Sequence, residues 1–236
     1  MSTIAVVDVI TQYLITFGPL LGDIKKKDFI PPILYRLSIV FNIKVQLVNF
    51  YYLVMDTNTA IFERRTVHAF NSKKVDEKLI YNAINAANQA PCHRLTFPWR
   101  FYSIGISKRN EILKLAIDIK SSKKSLDENS KKIIRDKFLN PSHLLISSQI
   151  LNKDDLIKKE DYAACACAIQ NLAISLASNK VYIKWSSGEI IRNKRIYNIL
   201  NIEPSLEEII GFIWVGYGKI LPEIKRPLIK EIYKQI

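Results

Sequence analysis

Arg64, Arg65 and Thr66 open the stretch RRTVHAFNSKKV, residues 64–75, and set two guanidinium groups beside one hydroxyl. Two chemistries suit that trio. Cations at a helix C-terminus are favoured by the helix dipole and can bond the last carbonyls. Guanidinium forks also match phosphate oxygens, and a neighbouring hydroxyl adds a donor, so the same residues suit a cradle for an anion. The stretch alone leaves both readings open. Other reactive side chains are sparse. His68, His93 and His143 have no metal-ligand spacing. Cys165 and Cys167 lie two apart in YAACACAIQNLAISLA, which on a helix points them away from each other, so no metal site is expected. Unpatterned cysteines, with Cys92 alone, fit a reducing, cytoplasmic setting rather than a disulfide framework. No Ser-His-Asp or Cys-His order stands out.

These residues need elements to hold them. MDTNTAIFE, from Met55, reads as one helix capped by Thr57 or Asn58, ending at the arginine pair. DEKLIYNAINAANQA reads as a helix capped by Asp76, with Leu79, Ala83 and Ala87 on one face. WRFYSIGI (99–106), SHLLISSQIL (142–151), VYIKW (181–185) and IIGFIWVGYG (209–218) read as strands. Ser107 is placed to cap KRNEILKLAIDIKSS, and a polar, lysine-rich stretch follows to Phe138. The segment from Glu160 to Asn179 is small and apolar almost all round, which predicts a helix buried on every side, with Gln170 and Asn171 finding interior partners. SSG is a turn, IIRNKRIYNIL a helix, and the basic tail EIKRPLIKEIYKQI is expected to wrap a neighbour. Strands interleaved with helices give an α+β or three-layer arrangement.

Residues 1–54 read differently from the rest. They are apolar and aromatic, yet Asp8, Lys25, Lys26, Lys27, Arg36 and Lys44 interrupt every window long enough to cross a membrane. A secretory signal would need a basic start that is absent here. Two expectations remain. Either the segment lies on a membrane surface, or translation starts at Met55 and the first 54 residues are a mis-assigned extension. The domain is accordingly expected to span residues 55–236.

A hydrophobic fraction of 48% suits a globular chain, and 236 residues suffice for one sizeable core. The net charge of +13 favours anionic partners. The lysines are scattered rather than banded, so no nucleic-acid partner is expected. Seven glycines leave no dinucleotide fingerprint and no phosphate loop.

Four stretches nevertheless follow one another along the chain and belong together: RRTVHAF; APCHRLTFPWRF; AIQNLAISLA; and KWSSG followed by IIGFIWVGYG. This order and spacing resembles the FMN-dependent nitroreductase family, in its short-chain branch with an AP-x-H…PWRF element, from Met55 to the C-terminus. The resemblance implies a three-layer α/β/α sandwich with a mostly antiparallel central sheet and helices on both faces. It implies that Arg64, Arg65 and Thr66 hold the FMN phosphate and ribityl chain. His68 would lie near the flavin's pyrimidine edge, with Arg94 able to supply a fixed charge there. Gln89 and His93 match flavin contacts, Trp185, Ser186, Ser187 and Gly188 match a loop that approaches the ring, and Lys225 and Arg226 match late basic residues that reach the phosphate. Cys92, Phe97 and the glycine-poor SNKVYIKW depart from the family pattern, as does His68 where relatives carry Lys or Arg.

The activity implied is that of an NAD(P)H-dependent flavin oxidoreductase. NADH or NADPH would deliver hydride to flavin N5, and a nitroaromatic, quinone or similar small-molecule acceptor would then take its place, by ping-pong kinetics. The flavin carries that chemistry, so no protein side chain need be catalytic. Relatives are homodimers with FMN at the interface, and a nearly all-apolar helix suits such a core. A flavin-consuming or dehalogenating relative on the same fold, or a membrane-associated flavin-binding protein, is the alternative.

Overall fold

The structure is a computed structural model that describes residues 55–236; the extension and membrane-surface readings of residues 1–54 lie outside the described residues. Four strands, β1 (Trp99–Ser103), β2 (His143–Ile150), β3 (Tyr182–Ser186) and β4 (Glu207–Gly216), form an antiparallel sheet in the order β1-β2-β4-β3. All four fall where β-branched and aromatic runs predict them. Strand β2 is buried on both faces, which explains its unbroken apolar start, LLI, in place of alternation.

Helices cover both faces. On one, α2 (Glu77–Ala87) and α5 (Asp155–Ala177) pack Ile80, Ala83, Ala168 and Leu172 onto Leu145, Ile213 and Val215. On the other, α3 (Ile106–Ser121), α4 (Glu128–Leu139) and α6 (Lys194–Leu200) pack Ile112, Phe138 and Ile196 onto Leu144, Ile146 and Trp214. Each fully buried Leu or Ile contributes about 1.5–3 kcal/mol to this burial. The architecture is the α/β/α sandwich that the resemblance implies. Among the described residues, no helix is long and apolar enough to cross a membrane.

Several local expectations change. Helix α1 (Thr57–Glu63) is capped by Asp56, whose carboxylate accepts from Thr59 N at 3.1 Å, rather than by Thr57 or Asn58. Helix α3 starts at Ile106 after Gly105, so Ser107 lies inside it and caps nothing. The lysine-rich stretch hides α4, which Asp127 caps through Ser130 N and which buries Ile134 and Phe138, four residues apart. Helix α5 is not buried all round. Tyr162, Ala163, Cys167 and Gln170 are exposed at helical spacing, while Ala164, Cys165, Ala168 and Leu172 face the sheet. Asn171 does find an interior partner, the carbonyl of Ala86 at 3.2 Å.

Two buried polar groups tie neighbouring elements together. The Arg109 guanidinium donates to the carbonyls of Ile104, Pro141 and Ser142 at 2.9–3.1 Å, tying the start of α3 to the turn before β2. Burial lowers its pKa. At the other end, Tyr102 and Ser148 both donate to the buried carboxylate of Glu207. Burial, then the Glu207 bond and charge, push the Tyr102 phenol up to about 12 from 10.

Replacing Arg109 by Met is expected to cost about 3 kcal/mol, because three buried carbonyls lose their donor; chemical denaturation checks it. The folded chain keeps the Tyr102 proton where the unfolded chain releases it, so this contribution is full below pH 10 and is lost as pH rises towards about 12. Tyrosinate absorbance should therefore show one late-titrating phenol that disappears in Tyr102→Phe.

Candidate functional site

The site is built where α1 stops. Arg64 has φ −55° and ψ 127°, so the backbone leaves the helix and runs extended. Thr66 pairs in parallel with Ile183 of β3, and Val67 N donates to the Ile183 carbonyl at 3.1 Å. Further on, Asn71 N donates to Tyr217 O and Lys219 N to Ala69 O, both at 3.0 Å, so the stretch is also stitched to the chain that follows β4. A side chain at Gly218 would start 3.0 Å from Val67, so its absence lets the two backbones lie this close. An exposed pair, Lys180 with Glu63 at 2.6 Å, links the end of α1 to the turn before β3.

The two arginines diverge. Arg65 turns back, and its Nη1 donates to the carbonyls of Phe62 at 2.6 Å and Arg64 at 2.9 Å, satisfying the end of α1. Arg64 instead lines a cleft of about 220 Å³ together with Thr66, Gln170, Ile183 and Trp185, floored by Ala166, Ile169 and Ala173 of α5. Burial, then the charges of Arg226 and Arg65, lower the Arg64 pKa. Among the described residues, no carboxylate forms an ion pair with Arg64, Arg65 or Arg226. A half-buried cation crowded by two others and left without a counter-ion is arranged for an anion. Beside it, the Thr66 hydroxyl and the Gln170 amide offer hydrogen bonds, and the Trp185 and Ile183 side chains offer an apolar wall.

A six-residue loop lies further along α5. Cys92 to Phe97 contains three residues with left-handed φ, Arg94 at 61°, Leu95 at 54° and Phe97 at 46°. Such backbone is held only when its surroundings fix it. Here the Cys92 sulfur accepts from Phe97 N at 3.2 Å, and Thr96 donates to the buried Asp161 at 2.5 Å. Arg94 pairs with Glu160 at 3.3 Å.

Of the residues named from sequence, Arg64, Thr66 and Trp185 therefore meet in one cleft, with Arg226 in charge contact. Ser186 ends β3 beside them, half-buried. Ser187 and Gly188 are exposed in the following turn, and His68 is exposed on the stretch after Thr66. Gln89, His93 and Arg94 are exposed and outside this cleft, the last two in the loop that bonds the N-terminal half of α5. Lys225 lies exposed in the tail. Sequence reading missed Gln170, taken for an interior residue; its place on the same helical stripe as Tyr162, Ala163 and Cys167 was the available signal.

The sequence pattern of the nitroreductase family matches residues 61–217. The chain belongs to the nitroreductase family. That match spans the arginine pair, the loop at Cys92, helix α5 and strands β1 to β4. A Bacillus subtilis protein named NAD(P)H nitroreductase YfhC is 28% identical over 169 residues, 70% of this chain and 86% of that one. Among solved structures, a nitroreductase-like protein from Bacillus cereus is 25% identical and superposes with a TM-score of 0.67 over 77% of this chain and 96% of its own. A nitroreductase from Desulfovibrio desulfuricans, solved in complex with FMN, is 17% identical and superposes with a TM-score of 0.60 over 77% of this chain and 97% of its own. This last likeness is one of fold. In this chain the arginine pair divides its labour: one side chain closes a helix and the other faces the cleft.

Inorganic pyrophosphate should bind at the cleft, on Arg64 and under the charge of Arg226. At millimolar concentration it is expected to raise the melting temperature of the full chain, and Arg64→Ala should abolish the rise, whereas Lys108→Ala, in an exposed pair with Glu111 on α3, should leave it.

Proposed function

We propose that this nitroreductase is an FMN-dependent NAD(P)H oxidoreductase that reduces nitroaromatic, quinone or similar small acceptors by ping-pong kinetics. The observation that carries this reading is the Arg64 cleft, where a guanidinium with two cationic neighbours, and no carboxylate paired to it among the described residues, stands beside Thr66, Gln170 and an apolar wall. Those groups fit a flavin mononucleotide. Arg64 and Arg226 hold the phosphate, and the Thr66 hydroxyl and the Gln170 amide bond the polar chain that joins phosphate to ring. Trp185 and Ile183 keep water from the neighbouring part of the nucleotide. Bound FMN supplies the hydride-transfer chemistry at its N5, and the protein's part is to bind, orient and tune it. The names of the B. subtilis relative and the D. desulfuricans complex support NAD(P)H and FMN respectively.

The cleft of about 220 Å³ is smaller than the roughly 300–1,000 Å³ of pockets that enclose a whole ligand. Its remaining walls come from a second copy, which makes the working enzyme a homodimer. Apolar surface supports this. The stripe of Tyr162, Ala163 and Cys167 on α5 is exposed in one chain, as are Ile220, Leu228, Ile229, Ile232 and Tyr233 in the tail. In that assembly the loop with His93 and Arg94, and Gln89 beside it, face the flavin ring from the partner. Residues 55–236 form the flavin-binding unit, and the free thiols of Cys92, Cys165 and Cys167 suit a cytoplasmic enzyme.

The full chain, purified and supplied with FMN, should show bound-flavin absorption that bleaches with NADPH under nitrogen and returns with a quinone. It should elute at twice its 27.2 kDa. A chain that takes up no FMN, or that holds FMN without any bleaching by NADH or NADPH, overturns the proposal. Arg64→Ala is expected to weaken FMN binding about 10- to 100-fold, the worth of one charge-assisted contact.

A further inference from the structure

Trp185 is the largest side chain in the cleft, and what fixes its place lies outside the cleft. Its indole rests on β4, where Nε1 donates to the Ile210 carbonyl at 3.3 Å. The β2–β4 ladder pairs Ser147 with Gly211 and Ser148 with Ile209, so Ile210 is the extra residue of a bulge and stands outside that pairing. The next residue, Gly211, faces the Nε1–Cδ1 edge of the ring. A Cβ built there would sit 2.1 Å from the indole Nε1 and 2.4 Å from Cδ1, distances no pair of non-bonded atoms tolerates. The carbonyl of Ser186 is 3.3 Å from the same point, which a shift of a few tenths of an ångström relieves. Among the described residues, the indole is thus the one group that any side chain at this position would expel. Gly211 itself does not line the cleft.

We infer that Gly211 is the positioning residue for Trp185, and that through this seat it sets how tightly the cleft retains its flavin nucleotide; the second half rests on the flavin reading above. The test is a double-mutant cycle on the full chain, comparing the parent with G211A, W185L and G211A/W185L. Readouts are FMN affinity by flavin fluorescence, visible circular dichroism of the bound FMN, and melting temperature. G211A is expected to weaken FMN binding about tenfold and alter the dichroism, because a wall displaced by an ångström no longer matches its ligand. W185L removes the clash, so G211A/W185L should bind FMN within about twofold of W185L alone. G211A affinity within twofold of the parent overturns the inference, and so does a double variant that loses the full G211A factor on top of W185L. Should G211A fail to fold, recovery of folding in G211A/W185L supports the seat, and failure there too overturns it. A parent chain that takes up no FMN refutes the flavin reading and with it the retention role. The seat itself is then decided by melting temperature, which in the double variant should match W185L.

Discussion

Uncompensated positive charge is the constraint on which the site depends. Arg64, Arg65 and Arg226 are close enough to depress the basicity of Arg64, and no acidic side chain among the described residues pairs with any of them. Folding has brought like charges together on the edge of the sheet, where repulsion and partial desolvation both oppose it. Two features make the arrangement tolerable. Arg65 is absorbed by the open carbonyls at the end of α1, which reduces the unpaired charge at the cleft to Arg64 and the tail's Arg226. The cleft leaves Arg64 only half-buried, so water can solvate it until an anion arrives.

The rest of the fold serves to hold that charge against something apolar. The extended stretch after Arg64 needs β3 on one side and the chain beyond β4 on the other, and it comes close to the latter because Gly218 carries no side chain against Val67. Strand β4 in turn needs cover on both faces, which α2 and α5 give from one side and α3, α4 and α6 from the other. Helix α5 does double duty. Its inner residues, Ala168 and Leu172, close the core, and the small side chains of half-buried Ala166 and buried Ala173 leave the space that becomes the cleft floor. A larger side chain at half-buried Ala166 would fill the cleft.

Much of the fold was legible in the sequence because strands β1 to β4 are β-branched and aromatic, and Asp76 marks the start of α2 through its bond to Lys78 N. Helix α4 was hidden because charged and polar residues make up most of it and its buried residues are only Ile134 and Phe138. The opening arginines posed two readings, a helix-end cation and an anion cradle. Geometry assigns the first to Arg65, and Arg64 faces the cleft; composition could not divide them, since both are arginines one residue apart. Gln170 was misread because α5 is so rich in alanine that its exposed stripe differs little from its buried one. The likeness in four stretches carried the family, and the seat of Trp185 on β4 is tertiary detail that no local pattern announces.

The proposed role of Arg64 and its cationic neighbours is to hold a phosphate, so the most direct test compares FMN with riboflavin, which is the same flavin without the phosphate. Equilibrium binding of both to the full chain, at low and high salt, isolates that group. FMN should bind at least about tenfold more tightly than riboflavin at low salt, with the advantage shrinking as salt screens the guanidinium groups. Equal affinity for the two flavins, unmoved by salt, would mean that the charge gathered at Arg64 serves some other ligand.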